Sequence, residues 1–167
     1  FRTFDIDRVH SLLPERAKKV GLVGAALGHH PQLRELVARL VEEGRRVSLS
    51  SLRADKLDAE FLDLLVRGGT RSLTVAADGA SERLRKLVKK RVTAEDLLHA
   101  SKLAEDAKLE SLKLYAMVGL PTETEDDVVE LCELALEMAS HRKLSLSLSP
   151  FVPKRWTPLC DAEQAPM

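Results

Sequence analysis

The side chains equipped for chemistry gather in five short stretches, each closing an apolar run. They are Gly24-Ala25-Ala26 ahead of His29-His30, Ser50 with Arg53, and Asp78 ahead of Ser81 and Arg83; then Gly119-Leu120-Pro121-Thr122-Glu123-Thr124, and Ser149-Pro150-Phe151 with Lys154. Small residues dominate all five, which leaves room for an elongated ligand held mostly by backbone. His29 and His30 are adjacent, so their rings diverge, and no His or Cys stands at helical spacing from them; they read as a loop pair rather than a metal site. Arg83, Arg85, Lys86, Lys89, Lys90 and Arg91 form a dense basic run. Most of it reads as a solvated helix face, with one member free to reach a carboxylate or phosphate at the run ends. Arg53 reads as a surface ion pair or an anion clamp. Glu123, Glu125, Asp126 and Asp127 suit the positive end of a helix dipole better than a metal. There is no Gly-x-Ser-x-Gly elbow, no phosphate-binding Gly-rich loop with Lys-Ser/Thr and no His-Glu-x-x-His, and the five histidines, all loop or helix residues, do not build a convincing hydrolase triad.

The apolar runs themselves fall at 20–26, 47–52, 72–77, 112–119 and 144–152, and helical spacing fills the intervals. Leu33, Leu36, Val37, Leu40 and Val41 make one helix face, with Pro31 expected in its first turn and Gly44 at its end. Asp58 is the expected N-cap of the next helix, stopped by Gly68-Gly69. Thr93 with Asp96 resembles a capping box, and Thr122 or Thr124 caps the helix after it. A further helical segment is expected over 6–16. Strands alternating with helices predict βαβ units and a parallel sheet. About five such units form one α/β domain over 1–167, with an extended tail at 155–167. Periodicity leaves two architectures open, part of a barrel or an open doubly wound sheet. In both, ligands bind beyond the carboxyl ends of the strands, where the five stretches fall.

Composition narrows the function classes. The 167 residues carry 26 basic and 26 acidic side chains, with 44% hydrophobic and 31% charged residues. A neutral chain lacks the positive field of a general nucleic-acid binder, and no apolar run nears the roughly 20 residues that span a bilayer. Cys132 and Cys160, in unrelated contexts, read as reduced thiols of a cytoplasmic protein. Two cysteines complete neither a four-ligand zinc site nor an iron–sulfur cluster. The chain opens on Phe1, so it is expected to be processed or a piece of something longer.

Three of these stretches together resemble the radical S-adenosylmethionine enzymes. Gly119-Leu120-Pro121-Thr122-Glu123-Thr124 is similar to the family's Gly-Leu-Pro-Gly-Glu-Thr. The segment 73–90 resembles a strand-and-helix segment reading roughly Leu-x-Ala-Pro-Glu-x-Gly-Ser-Glu-Arg-Leu-Arg. The stretch from Ser149 to Lys154, followed by Thr157-Pro158, resembles the closing strand of a subgroup whose members often carry a cobalamin-binding domain upstream. The resemblance implies an incomplete parallel (β/α) barrel, strands two to six of six. It implies that backbone at Gly24, Ala25 and Ala26 meets the amino group of S-adenosylmethionine. Ser50 and Asp78 would face its ribose and sulfonium, Ser81 and Lys90 its carboxylate, and Gly119, Leu120 and Phe151 its adenine. Full-length members also hold a [4Fe-4S] cluster on Cys-x3-Cys-x2-Cys, a pattern this sequence does not contain. The resemblance therefore implies a fragment or degenerate form, inactive alone, binding the cofactor weakly or not at all, with an unknown substrate. The alternatives are a non-catalytic interaction domain that self-associates through an exposed sheet edge, and a small-ligand enzyme on an α/β scaffold.

Overall fold

Alternation of buried and exposed positions sets the layers of this molecule, strand by strand and helix by helix. The computed structural model describes residues 3–24 and 27–165. In chain order these form α1 (Ile6–Ser11), β1 (Lys19–Leu22), α2 (Leu33–Glu42), β2 (Arg46–Leu49), α3 (Ala59–Arg67) and β3 (Ser72–Asp78). Then come α4 (Glu82–Leu87), α5 (Ala94–Asp106), β4 (Ser111–Val118), α6 (Glu125–His141) and β5 (Leu144–Pro150). All strand pairs are parallel. β1 pairs with β2, and β3, β4 and β5 form a second sheet in that order. The two are joined by a bridge between Leu52 and Val75, with the Leu52 N–H donating to Thr74 O at 2.9 Å.

Sequential parallel strands joined by crossovers of one hand put the crossover helices on one face of a sheet; here α2 packs on β2, α5 on β3 and β4, and α6 on β5. The helices pack accordingly, α2 on α3, α3 on α5 and α5 on α6. Leu73, Val75 and Ala77 of β3 and Leu112, Leu114 and Ala116 of β4 are buried beneath them. Successive side chains alternate across a strand, so Thr74 and Ala76, Lys113, Tyr115 and Met117, and Ser145, Ser147 and Ser149 share the helix-free face; past a register shift, Asp78 stands beside Ala116 instead. The architecture is an α/β partial barrel of five parallel strands among the described residues, with no closure between β1 and β5.

Several local expectations are met by named contacts. Asp58 accepts the Phe61 N–H at 2.9 Å. Thr93 and Asp96 exchange bonds of 3.1 and 2.9 Å, so the shorter Asp completes the capping box. Thr124, not Thr122, caps α6. Others need correction. The first helix stops at Ser11 rather than reaching residue 16, because Pro14 disfavours helical backbone in the residue before it. Pro31 lies outside α2, whose N-cap is Gln32. The Gln32 N–H donates instead to His30 Nδ1 at 3.1 Å, while His30 Nε2 meets Phe4 O at 2.8 Å. The His30 ring is thus a structural clip. β1 ends at Leu22 and β2 at Leu49, short of the expected 26 and 52. The stretch after β5 winds through turns between residues 155 and 161.

Candidate functional site

The carboxyl end of β3 carries an ion pair. The β3–β4 register shifts between Ala76 and Asp78, and Asp78 adopts a left-handed backbone with φ 65°. Asp tolerates that conformation better than most residues. Lys90 Nζ lies 2.6 Å from Asp78 Oδ2, both side chains partly shielded from water. Lys90 is brought there by the end of α4. Lys89 turns left-handed at φ 57°, and the Lys90 N–H donates to Arg85 O at 2.8 Å. One member of the basic run therefore reaches the strand ends.

A buried carboxylate organises the two loops beside this pair. Asp127, in the first turn of α6, is 4% exposed. It accepts from the Ser81 hydroxyl, the Thr124 N–H at 2.8 Å, the Thr124 hydroxyl at 2.9 Å and the Arg83 guanidinium. Burial pushes its carboxyl up, but the bonds from Ser81, Thr124 and Arg83 together outweigh that and hold it at about 2. Ser81 also caps α4, accepting the Leu84 N–H at 3.3 Å. Glu130 accepts the Glu82 N–H at 2.7 Å and lies 3.6 Å from Arg85 Nη2. The starts of α4 and α6 are thus locked together.

The end of β4 is held from within the chain. Gly119, at φ 77°, donates its N–H to Glu123 Oε1 at 2.8 Å, and its carbonyl accepts from the Ala165 N–H at 3.1 Å. A side chain there would meet Gln164 at 2.9 Å. Leu120 is buried, with its N–H 3.4 Å from Glu123 Oε2. Phe151 is buried at the end of β5 and donates its N–H to Val118 O at 2.8 Å. Beside it opens an apolar cavity of about 340 Å³ lined by Leu87, Val88, Met117, Phe151, Pro158 and Leu159 among others.

On the first sheet, Gly24 follows β1 and is exposed, whereas Ser50 is half-buried and donates its N–H to Leu22 O at 3.2 Å. Ala25 and Ala26 lie outside the described residues. Arg53 is chelated by Asp55 through two bonds of 2.8 Å, which raise the basicity of the guanidinium and lower the carboxyl below its usual range. It is an ion pair.

The structure therefore groups Asp78, Ser81 and Lys90 around β3 and α4, and Gly119, Leu120 and Phe151 around the ends of β4 and β5. Sequence reasoning missed three residues. Asp127 was legible as a helix-start acid but not as the buried centre of a network. Arg85 belongs to no solvated face, being fully buried with Nε and Nη2 unbonded. Met117 gave no signal beyond its place near a strand end.

The donor set suits S-adenosylmethionine in kind: an ammonium for its carboxylate, a carboxylate for its amine or ribose, and an apolar cavity of aromatic dimensions. It does not suit an iron–sulfur cluster. Cys132 is exposed on α6, and Cys160 sits in the tail with its thiol 3.2 Å from Asp161. Among the described residues no three metal-binding side chains converge.

Parallel strands backed by helices on one face, with polar groups at the carboxyl ends, define a partial (β/α) barrel of the kind that binds ligands at those ends. The model of the radical SAM superfamily matches residues 6–135, and the chain belongs to that superfamily. It is 37% identical over 143 residues to an uncharacterized protein of Methanocaldococcus jannaschii, covering 85% of this chain and 32% of that protein. Its fold is similar to coproporphyrinogen III oxidase from Escherichia coli, described as a radical SAM enzyme, with a TM-score of 0.63 and 15% identity over 82% of this chain and 32% of the other. The chain spans about a third of the length of each (32% in both comparisons). No helix among the described residues is long and apolar enough to cross a membrane.

Proposed function

We propose that this chain is the cofactor-positioning part of a radical SAM enzyme, either a portion of a longer protein or a degenerate form, and that it does not cleave the cofactor by itself. The observation that carries the reading is the Asp78–Lys90 pair at the end of β3, together with superfamily membership. Lys90 would hold the carboxylate of S-adenosylmethionine and Asp78 its amine or ribose. Met117 and Phe151 would flank the adenine. The bound cofactor supplies a carbon–sulfur bond whose reductive cleavage needs an electron from a cluster, and two separate cysteines do not hold one. A chain of this composition would work in the cytoplasm.

Two measurements test this. Anaerobic reconstitution with iron and sulfide should leave the protein without the visible absorption of a cluster; a band bleached by dithionite overturns the inactivity. Titration with S-adenosylhomocysteine, followed by amide NMR, should give weak, saturable shifts at Asp78, Lys90, Met117 and Phe151. Lys90→Met should abolish them, and unchanged shifts in that variant would overturn the site.

A second reading rests on β1, whose outer edge pairs with no strand among the described residues. Such an edge can join a second copy of the chain. Sedimentation across a dilution series decides it, since a monomer at all concentrations removes this reading.

A further inference from the structure

The helix-free face of β3, β4 and β5 is composed unlike a packed barrel interior. Barrel interiors are normally filled by bulky branched side chains in layers. Here the three strands present Thr74, Ala76, Lys113, Tyr115 and a row of serines at 145, 147 and 149. The register aligns them in rows: Thr74 beside Lys113 beside Ser145, then Ala76 beside Tyr115 beside Ser147. Neighbouring strands lie about 4.8 Å apart, so each row is a compact polar group rather than a scatter. Small side chains leave the space in front of the sheet open. The alternation that produces this is sharp in β5, where Leu-Ser-Leu-Ser-Leu-Ser puts hydroxyls on one face and leucines on the other.

The charge on this face is one-sided. Lys113 sits mid-strand and half-buried, its ammonium 5.8 Å from the Tyr115 ring centroid. It makes no ion pair among the described residues, whereas Lys90 has Asp78 and Arg71 has Glu110. Asp78, past the register shift at the end of β3, is the one carboxylate that these three strands carry, and it is already paired with Lys90. What remains is a cation flanked by hydroxyls, all able to donate.

We propose that this face is the substrate wall of the barrel and that it recognises an anionic oxygen group, phosphate or carboxylate, through Lys113 with Thr74, Ser145 and the Tyr115 hydroxyl. The inference rests on the reading of the chain as a radical SAM barrel, whose strand ends hold the cofactor. It adds the chemical class of the molecule acted upon. A neutral or cationic substrate would leave Lys113 desolvated and unpaired, which is costly. An acid satisfies it.

The test is amide NMR of the full chain titrated in separate arms with inorganic phosphate, acetate and, as a neutral control, glycerol. Saturable shifts are expected at Thr74, Lys113, Tyr115, Ser145 and Ser147 with phosphate, acetate or both, the stronger arm identifying the group, and none with glycerol. Lys113→Met should weaken the binding about tenfold, roughly the loss of one charge-assisted contact. Lys113→Arg should retain it, and Lys102→Met, on the exposed face of α5, should leave it unchanged. Absence of shifts on this face, or equal binding by Lys113→Met, overturns the proposal. S-adenosylhomocysteine in a separate titration reads the cofactor site independently. Shifts there with none from the anions refute the substrate wall alone, and the reverse refutes the cofactor site alone.

Discussion

Replacing Asp127 by Asn tests whether one buried carboxylate holds the site loops together. The side chain keeps its volume, so the change removes charge and acceptor capacity rather than packing. Asp127 accepts four hydrogen bonds, and its carboxyl is held at about 2 against an ordinary value of 3.8. Each tenfold in proton affinity is ~1.4 kcal/mol, so that difference represents about 2–3 kcal/mol of stability. Because the folded value is depressed, this contribution is complete above the ordinary carboxylate range and is lost as pH falls through about 2. An Asn amide turns one of its two heads into a donor facing donors, so Asp127→Asn should lose about 2–3 kcal/mol near neutral pH. The gap to wild type should close as the wild-type carboxyl itself becomes protonated. Urea unfolding followed by far-ultraviolet circular dichroism, repeated from neutral to strongly acid pH, measures it. Asp55 and Asp58 are also held below their usual range by their arginine partners, but they titrate in both proteins and cancel in the difference. Binding should follow, since freeing Ser81 loosens the start of α4, whose far end places Lys90. A stability gap that is the same at both ends of the pH range, or an Asn variant as stable as wild type, refutes the reasoning.

Two further substitutions probe the same region. Burial pushes the Arg85 guanidinium down, and Glu130 and Glu82 oppose that. Glu130→Ala should therefore cost about 2–3 kcal/mol by leaving a buried charge without its partner, while Arg85→Met should be neutral or stabilising in the same urea assay; an Arg85→Met loss larger than that of Glu130→Ala would contradict this. Thr122 holds a left-handed backbone at φ 68°, which is strained for a β-branched residue. Thr122→Gly should gain about 0.5 kcal/mol, the relief of strain less the entropy glycine adds to the unfolded chain, and a loss of more than about 1 kcal/mol would show the Arg83 contacts to matter more.

The order of elements was legible because each carries its own local signal. Asp58, Thr93 and Thr124 announce helix starts by side-chain chemistry that acts within three residues, and Gly44 announces an end by a left-handed turn at φ 72°. Strand alternation in 72–78 and 144–150 is equally local. What was not legible depends on partners distant in sequence. Asp127 and Ser81 are 46 residues apart, and nothing near either one indicates that they meet. Arg85 looked solvated because its neighbours Lys86 and Arg83 are; only the placement of α4 against α6 decides that this one position faces inward. Pro31 misled for a related reason. The His30 ring, fixed by the carbonyl of Phe4, 26 residues earlier, takes the Gln32 N–H and delays the helix.

The Gly-Leu-Pro-x-Glu-Thr segment shows what such a signature encodes. Read as a ligand contact, Gly119 would offer backbone to the adenine. In the structure both of its backbone polar groups are bonded, to Glu123 and Ala165. Glu123 gathers the N–H groups of Gly119 and Leu120, Thr124 with Asp127 starts α6, and the residue between adopts the left-handed turn that glycine serves most easily. Each motif residue thus supports the loop, and the loop fixes the relation of β4 to α6. Met117 and Phe151 beside the cavity, and the Lys90–Asp78 pair, lie just outside the motif. Thr122 in place of glycine follows from this division. The turn is retained because Arg83 binds the Thr122 carbonyl at 2.6 Å and its hydroxyl at 3.2 Å. A departure from the family pattern at that position therefore changes the cost of the scaffold, and not the side chains beside the cavity or at the end of β3.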